Sequence, residues 1–538
     1  MKAIFNHRIF HISLGILGIV ITGWFMTHGL KNAMDIFFLD ETSYLVRGTK
    51  MFGAIPKRWG PLYCAWYRIL NIGEHDLVNL FYLNFKLMAI IPAVLLFAAL
   101  SRYSKSIIVP LLIAFCFLIS GFNLPVYPKI SFFCISLILA ALYLSSYLKD
   151  NFYKAMLFLS TALLLSFARP EFYLSFILIF ISAVILFLVK KIDFKKQYIL
   201  PVVAFLLMAI ILHIGLGNPM LMKIDGHNRS IIAFGEHFAY NYSKWTHSDL
   251  YTWLAWEEIY KDNFGNANGL VAAMQANANM FWKHILTNAR GFITAVLSMI
   301  TALVIPFKTG TTAAVVIGAL LCLLVIISIL TQIKKILQLE ILFLLIMSIP
   351  TLMSCFLVYP RNHYLVLLIP LIGMLLITAT NIIKEQKNIV TLAGVVLLVV
   401  LFGIFTPRAA DFKYFEMRKD EGVLNNQMAV ELFKRNEVPQ MLSMLSNEGD
   451  FSEFAKKKIE WIVPGSKKDT DFATFLNNED PDVIYLTQSI FKNPYYANDE
   501  SWTAFLTNYE NYGYEKLMLA PDINECFLIK NELIKYFK

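Results

Sequence analysis

The stretch from Ile9 to Thr27 reads IFHISLGILGIVITGWFMT and carries no Asp, Glu, Lys or Arg. A run of about 20 apolar residues lets a helix cross the hydrocarbon layer of a membrane, so this stretch predicts a transmembrane helix. Lys2 and Arg8 precede it and no small-residue cleavage site follows, which favours an uncleaved first span over a removed signal peptide. We therefore expect a membrane protein from its first helix onward.

Similar apolar runs recur along the chain as far as residue 406. Of the 538 residues, 57% are hydrophobic and 16% are charged, whereas a soluble protein averages about 25% charged residues. These numbers exclude a soluble globular protein and a disordered chain, and they predict an all-α polytopic membrane protein. The further runs lie near 79–100, 107–124, 130–148, 155–168, 172–189, 198–217, 291–307, 312–333, 338–358, 364–383 and 389–406.

The net charge of +9 divides unevenly along the chain. Residues 407–538 hold 16 basic and 22 acidic residues, a net of −6, so residues 1–406 hold 31 and 16, a net of +15. The basic excess belongs to the membrane part, where Lys and Arg in short loops mark the cytoplasmic side. This distribution argues against a nucleic-acid partner. It also divides the chain into a transmembrane domain, 1–406, and a soluble domain, 407–538.

The basic loops predict which side of the membrane each connection faces. Clusters of Lys and Arg fall on alternate connections, at 102–105, 149–154 and 190–196, which places all three in the cytoplasm. A protein of the cytoplasmic membrane with this orientation exposes the other connections outside. The outer connections are then the first loop, 28–78, the turn at 169–171 and the long segment 218–290.

The later part of the chain leaves the number of spans open. Twelve full spans would put Lys334 and Lys335 on the outer side, against the charge rule. If 291–307 is instead a re-entrant or interfacial helix, eleven spans remain and both lysines return to the cytoplasm. A thirteenth span would have the same effect. We expect eleven spans, within a range of about 11–13, and an extracytoplasmic tail.

The tail predicts a small α/β domain. Residues 421–458 have helical composition, and helix-like stretches at 469–477 and 500–511 alternate with strand-like ones. No glycine-rich phosphate loop occurs there, so nothing supports a nucleotide site. The expected strands are Lys458–Val463, Val483–Thr487, Tyr514–Leu519 and Cys526–Lys530.

The first outer loop holds the residues best suited to catalysis. Asp40 and Glu41 are adjacent carboxylates just after the first span, and Lys57 and Arg58 follow them. One carboxylate could deprotonate an acceptor hydroxyl while a cation holds a phosphate oxygen at the membrane surface. Solvated charge in an ordinary outer loop is the alternative interpretation.

Two further motifs place ionisable groups beside apolar runs. Arg169 and Glu171 flank a proline between two predicted spans, where charges are costly and are candidates for function. The alternative is an internal Arg–Glu pair at a helix junction. His237 lies among aromatic residues of segment 218–290 and could line a sugar or acceptor pocket. A loop histidine satisfied by packing or water is the alternative there.

A last motif opens the run at 364–383. Arg361, His363 and Tyr364 stand at its outer end, where Arg361 could meet a phosphate. Arg and Tyr also anchor helices at membrane interfaces, which is the alternative interpretation.

Together these pieces resemble the GT-C superfamily of polytopic glycosyltransferases. Within it, the chain is most similar to the bacterial branch with protein O-mannosyltransferases and the aminoarabinose transferase of lipid A. The resemblance spans nearly the whole chain, but each motif is short. It rests on Asp40-Glu41, Tyr44, Gly53, Trp59–Tyr63, Arg169-Pro170-Glu171, Arg361 to Tyr364, Pro370 and the α/β tail.

The resemblance implies a hexosyl or pentosyl transferase that takes sugar from a polyprenyl-phosphate carrier on the outer face. Its acceptor would be a glycan, a lipid or a protein, and its single displacement would invert the sugar. Asp40 would be the catalytic base, and Glu41 would support it or help hold a divalent metal, since members differ in metal dependence. The donor phosphate and substrate would meet Lys57, Arg58, Arg169, Glu171, His237, Arg361, His363 and Tyr364.

Two other classes remain as alternatives. A lipid-linked oligosaccharide flippase or other transporter would show broken helices in paired halves and charges near the bilayer midplane. An O-antigen polymerase or ligase would carry its large outer loop late in the chain. Here the candidate charges collect at one face and the Asp-Glu pair follows the first span.

Overall fold

The computed structural model describes most of the chain. Lys57 and Arg58 lie outside the described residues. The residues that the structure describes are 8–36, 38, 40–50, 60–124, 126, 128–189, 196–219, 223–224, 227–248, 252–305, 311–331, 338–381, 388–406, 408, 425–447, 449–463, 471–491, 493, 496, 499–519 and 525–538.

The predicted apolar runs coincide with helices, joined by shorter helices in the loops. Short 3-10 turns at Lys196–Tyr198 and Val366–Leu368 lead into α10 and α18. In chain order the elements are α1 (Arg8–Met26), α2 (Leu30–Ala33), α3 (Asp40–Thr49), α4 (Pro61–Leu70), α5 (Leu77–Tyr103), α6 (Ile108–Ile119), α7 (Ile130–Ser145), α8 (Asn151–Ser166), α9 (Phe172–Val189), α10 (Ile199–Leu216), β1 (Lys223–Ile224), β2 (His227–Asn228), α11 (Arg229–Thr246), α12 (Thr252–Phe264), α13 (Leu270–Ala276), α14 (Ala278–Ala302), α15 (Thr312–Thr331), α16 (Leu339–Leu357), α17 (Asn362–Leu365), α18 (Ile369–Thr380) and α19 (Asn388–Phe405).

Seven of the described helices are long and apolar enough to cross a membrane: α1, α5, α10 with its leading turn, α14, α16, α17 to α18, and α19. Shorter apolar helices, α6, α7, α9 and α15, accompany them. Helix α10 buries none of its residues, and Ile214 is 80% exposed. Apolar side chains exposed along a whole helix favour a lipid environment. The structure is thus consistent with a multi-pass membrane protein.

Helix α14 bears on the expected span count. The sequence predicted a re-entrant or interfacial helix at 291–307, whereas α14 is a continuous helix of 25 residues from Ala278 to Ala302. Its length and composition qualify it as a span. The length of α14 therefore does not exclude it from the spans, and a smaller span count needs another argument.

The loop after the first apolar helix folds into α2, α3 and α4. Asp40 and Glu41 occupy the first turn of α3, where negative charge is favourable against the helix dipole. Gly60 precedes α4 with φ +48°, and a Cβ there would lie 2.8 Å from the Ala168 carbonyl oxygen. Pro61 then starts α4, a position where proline loses no helical hydrogen bond. These local rules set where α3 and α4 begin. The two helices pack closely, since a Cβ at Gly48 of α3 would lie 2.5 Å from the Cys64 carbonyl oxygen of α4.

The long segment 218–290 has a core of its own, completed by the start of α14. Aromatic side chains of α11, α12 and α14 pack around Phe234, whose ring centroid lies 5.7 Å from that of Phe264 and 5.4 Å from that of Phe281. Phe238 packs on the same cluster at 4.7 Å from Phe264. This core fixes the face of α11 that carries His237.

The tail is an α/β domain, as the sequence predicted. Its sheet has the order β4-β3-β5-β7-β6, with β3 parallel to β4 and β5, and β7 antiparallel to β5 and β6. The elements are α20 (Asn425–Phe433), β3 (Met441–Leu445), α21 (Phe451–Ala455), β4 (Lys458–Ile462), α22 (Phe472–Glu479), β5 (Val483–Leu486), α23 (Gln488–Phe491), α24 (Glu500–Asn508), β6 (Tyr514–Met518) and β7 (Cys526–Lys530).

One tail prediction is wrong. Residues 421–458 are not helical throughout, because strand β3 interrupts them at Met441–Leu445. Pro439 stands just before this strand and cannot continue a helix. The apolar residues of the strand lie in the middle of the sheet, between β4 and β5, and pairing with these distant strands sets their conformation.

The tail packs on the helix bundle, and the two share one apolar core. Phe38 of the first loop lies between Phe451 and Phe454 of α21, with ring centroids 5.7 and 5.1 Å away. Buried residues of α20, such as Phe433, belong to the same apolar cluster as those of α3 and α5. The first loop and the tail therefore lie at the same end of the helix bundle.

Candidate functional site

The adjacent carboxylates of α3 face opposite ways. Asp40 is exposed, whereas Glu41 is 3% exposed. A helix turns by about 100° per residue, so neighbours on one turn present different faces. The expected catalytic pair is thus one surface carboxylate and one core carboxylate.

Glu41 is surrounded by hydrogen-bond donors from three other parts of the chain. Its Oε1 accepts bonds from the Tyr63 hydroxyl at 2.7 Å, from Asn84 Nδ2 at 3.0 Å and from the Tyr67 hydroxyl. Its Oε2 accepts the backbone N–H of Lys129 at 2.6 Å. These partners come from α4, from α5 and from the start of α7. The carboxylate therefore ties α3 to the bundle.

Burial raises the pKa of Glu41, and the hydrogen bonds from Tyr67 and Tyr63 lower it part of the way back. A buried carboxylate with each oxygen already bonded has no surface left for substrate. Its geometry suits a positioning role behind Asp40.

Arg169 and Glu171 bond to each other. The Arg169 Nε donates to Glu171 Oε1 at 2.6 Å, and its Nη1 donates to Ser131 Oγ at 2.5 Å. The guanidinium carbon lies 4.7 Å from the centre of the Tyr364 ring. This arrangement favours the internal ion pair that the sequence left as the alternative. His363 lies next to it, with its ring centroid 4.2 Å from that of Tyr364.

A largely apolar cavity of 480 Å³ opens at this pair. A cavity of that size falls in the range that holds a ligand of drug size. Its polar end is formed by Arg169, Glu171 and Tyr364, and its walls come from α11 and α16. The wall residues include Ser230, Ala233, Phe234, Pro350, Met353 and Leu357.

His237 is a buried, neutral imidazole with one free nitrogen. Its Nδ1 lies 2.7 Å from the Ala233 carbonyl oxygen, so this nitrogen carries the proton and donates. Burial and the positive charge of Arg361 lower the pKa of His237 to about 3. Its Nε2 has no hydrogen-bond partner among the described residues. The ring is therefore an acceptor available to a hydroxyl or N–H of a ligand.

Arg361 is held by an aromatic ring and not by an acid. Its guanidinium carbon lies 4.8 Å from the centre of the Trp253 ring, in a cation–π contact. The His237 ring meets the same indole edge-on at 5.4 Å. Within the described part of the chain, Arg361 forms no ion pair. Its charge is thus available to an anionic ligand.

The structure adds Glu236, which the sequence analysis did not select. Burial and then the carboxylate of Asp40 raise the pKa of Glu236 to about 7, and the charge of Arg361 lowers it. Both residues must therefore lie near Glu236, although they belong to different segments. The sequence places Glu236 beside His237, but no local signal marks it as buried next to Asp40.

The expected site residues thus form two groups. Asp40, Arg361 and His237 gather around Glu236, while Arg169, Glu171, His363 and Tyr364 line or adjoin the apolar cavity. The two groups join at Arg361 to Tyr364, which are continuous in the chain. Glu41 lies in the core behind Asp40. No group of three or more His, Cys, Asp or Glu able to hold a metal occurs among the described residues.

Comparisons with known proteins do not name a family. No family model matches the chain, and no curated protein matches it.

Proposed function

We propose that the protein is a membrane glycosyltransferase that moves a sugar from a polyprenyl-phosphate carrier to an acceptor at the outer face of the cytoplasmic membrane. The carrying observation is that Arg361 and the buried His237 contact the same Trp253 ring, beside the partly buried Glu236, whose pKa is raised by burial and by Asp40. A general base and a phosphate-binding cation must share one pocket for such a transfer. The adjoining apolar cavity supplies room for a lipid-linked donor.

In the proposed reaction the acceptor oxygen attacks the anomeric carbon of the sugar. The bond from that carbon to the phosphate oxygen breaks, and its electron pair leaves with the lipid phosphate. Asp40 takes the acceptor proton, and Arg361 stabilises the charge that develops on the phosphate. His237 Nε2 accepts a hydrogen bond from a sugar or acceptor hydroxyl. A single displacement of this kind inverts the anomeric configuration.

The proposed topology has eleven crossings. The first loop follows one crossing, and the tail follows the last crossing. Because the loop and the tail lie at the same end of the bundle, the total number of crossings must be odd. The contacts of α15 support leaving out α14: Ser328 Oγ near its end lies 3.4 Å from the Ala379 carbonyl oxygen. Asn381, just beyond Ala379, donates to the Tyr103 carbonyl at the far end of α5. Helix α15 then ends away from the first loop and starts nearer to it. Because the proposed topology also puts segment 218–290 on the side of the first loop, α14 need not cross.

The test uses the purified full-length chain in lipid vesicles with a series of radiolabelled polyprenyl-phosphate monosaccharides and a cell-envelope extract as acceptor. We expect sugar transfer and release of polyprenyl phosphate. Asp40→Asn should abolish transfer, because an amide cannot take the proton, while Glu437→Gln, on an exposed carboxylate of the tail, should leave it unchanged.

Near-normal transfer by Asp40→Asn would contradict the assignment of the base. Movement of labelled lipid across the vesicle without release of polyprenyl phosphate would instead assign the chain to the transporters.

A further inference from the structure

Asp450 of the tail accepts hydrogen bonds from α3, the helix that carries Asp40, and does not cap its own helix. This residue precedes α21, where an aspartate ordinarily accepts a backbone N–H of its own helix, yet its side chain makes no capping bond there. Instead, its Oδ2 accepts the hydroxyls of Thr42 at 2.9 Å and Ser43 at 2.8 Å. Both donors lie in the first turn and a half of α3. A polar group of the tail is thus directed at the membrane part.

A second aspartate makes the reciprocal contact. Asp35 of the first loop is 8% exposed and meets the first residues of α20. Its Oδ2 accepts the backbone N–H of Asn426 at 2.8 Å, and its Oδ1 accepts that of Gln427 at 2.9 Å. Gln427 Nε2 donates back to the Lys31 carbonyl at 3.0 Å. The chain segment that leads into α3 is therefore bonded to the tail.

Residues before and after α3 also contact the tail. Phe38, before α3, packs between two phenylalanines of α21, and Lys50, just after α3, pairs with Glu453. The inner face of α3 is held by the body of the protein through Glu41. The outer face and both ends of α3 are held by the tail.

We propose that the C-terminal α/β domain is a positioning element that fixes the start of α3 and with it the carboxylate of Asp40. Asp450 and Asp35 are its positioning residues, acting through α3. The consequence for catalysis rests on the proposed function, whereas the ordering of α3 does not. The tail needs no ligand of its own for this role.

Hydrogen exchange on the full-length protein in lipid nanodiscs tests the ordering directly. Asp450→Ala should make the backbone amides of residues 40–49 exchange about tenfold faster, because two hydrogen bonds to a carboxylate are lost. Asp450→Asn keeps an acceptor oxygen and should restore exchange to within about threefold of the unaltered protein. Residues 130–145 should not change in either variant.

A matched control separates positioning from loosening of the tail. Asp471 caps α22 by accepting the Thr474 N–H at 2.7 Å, inside the tail. Asp471→Ala should leave exchange at 40–49 unchanged. Equal acceleration by Asp471→Ala, or unaltered exchange at 40–49 in Asp450→Ala, would overturn the proposal.

The transfer assay distinguishes the two proposals. With polyprenyl-phosphate sugars as donors, Asp450→Ala should lower kcat at least fivefold and leave KM within twofold, since donor contacts lie elsewhere. A rise in KM with unaltered kcat would overturn the link from the tail to Asp40. If the unaltered protein transfers no sugar while Asp450→Ala still speeds exchange at 40–49, the proposed function fails and the positioning role stands.

Discussion

The backbone N–H of Lys129 donates a hydrogen bond of 2.6 Å to the side chain of Glu41, joining the start of α7 to the start of α3. The same carboxylate takes three further donors from α4 and α5. Asp40 stands beside it in the chain but on the exposed face. Glu41 therefore anchors α3 to the bundle, and Asp40 is carried on the exposed face of the same helix.

Glu41→Ala should destabilise the protein strongly. It leaves the hydroxyls of Tyr63 and Tyr67 and the Lys129 N–H without their buried acceptor. The expected loss is about 3 kcal/mol or more in the free energy of unfolding. A lowered thermal unfolding midpoint of the detergent-solubilised protein would measure it.

Glu41→Gln provides the matched comparison, because it keeps one acceptor oxygen and the side-chain shape. We expect a smaller loss in the free energy of unfolding, because the amide oxygen still accepts hydrogen bonds. A loss of about 1–2 kcal/mol remains, because the amide nitrogen and the Lys129 N–H are both donors and face each other. If Glu41→Ala were as stable as the unaltered protein, the network around Glu41 would not hold α3.

Arg361 should matter for donor binding more than for stability. Its guanidinium carbon lies 4.8 Å from the centre of the Trp253 ring, and no ion pair to Arg361 occurs among the described residues. Arg361→Ala should raise KM for polyprenyl-phosphate sugars about 10- to 100-fold, as expected for a lost charged hydrogen bond. Initial rates at a series of donor concentrations measure this.

The control for this experiment is Arg102→Ala. Arg102 is exposed at the other end of α5 and bonds Ser146 Oγ at 3.1 Å. It should leave KM unchanged. An equal rise in KM for both variants would show that general loss of basic charge, and not the Arg361 site, weakens donor binding.

Glu236 should make stability depend on pH near neutrality. Burial and Asp40 raise its pKa from 4.5 to about 7, so the folded chain keeps a proton that the unfolded chain releases. The stabilisation is fully present below about pH 4.5 and is lost as the pH rises through 7, a change of up to about 3 kcal/mol. Thermal unfolding midpoints at pH 5 and pH 8 measure it.

Glu236→Gln removes the titrating proton and keeps the shape of the side chain. The fall in midpoint from pH 5 to pH 8 should therefore be smaller in this variant than in the unaltered protein. The same pH dependence in both proteins would place the titration on another group.

Most of the fold could be predicted from local sequence. The apolar runs were expected to be helices, since a segment in hydrocarbon must satisfy its own backbone groups, and they coincide with helices in the structure. Four tail strands were predicted at nearly their observed bounds, because their composition and flanking turns are local signals. Strand β3 was missed because its pairing with β4 and β5 is a property of the sheet.

The candidate site was only partly predictable. The chemistry-bearing residue types stand out in the sequence, and His237 and Arg361 contact the same Trp253 ring. Glu236 was not selected, since the influence of Asp40 and Arg361 on its pKa comes from segments far apart in the chain. Arg169 and Glu171 proved to bond each other, which their spacing allowed but did not require.

By itself, the sequence determined that the chain is helical, apolar enough for a membrane and closed by an α/β tail, because hydropathy and turn residues act over short stretches. Only the tertiary structure decided that Glu41 is buried among donors while Asp40 is exposed, and that Asp450 of the tail bonds the helix carrying Asp40. Burial and hydrogen bonding depend on segments far apart in the chain, and no local pattern specifies which of those segments meet.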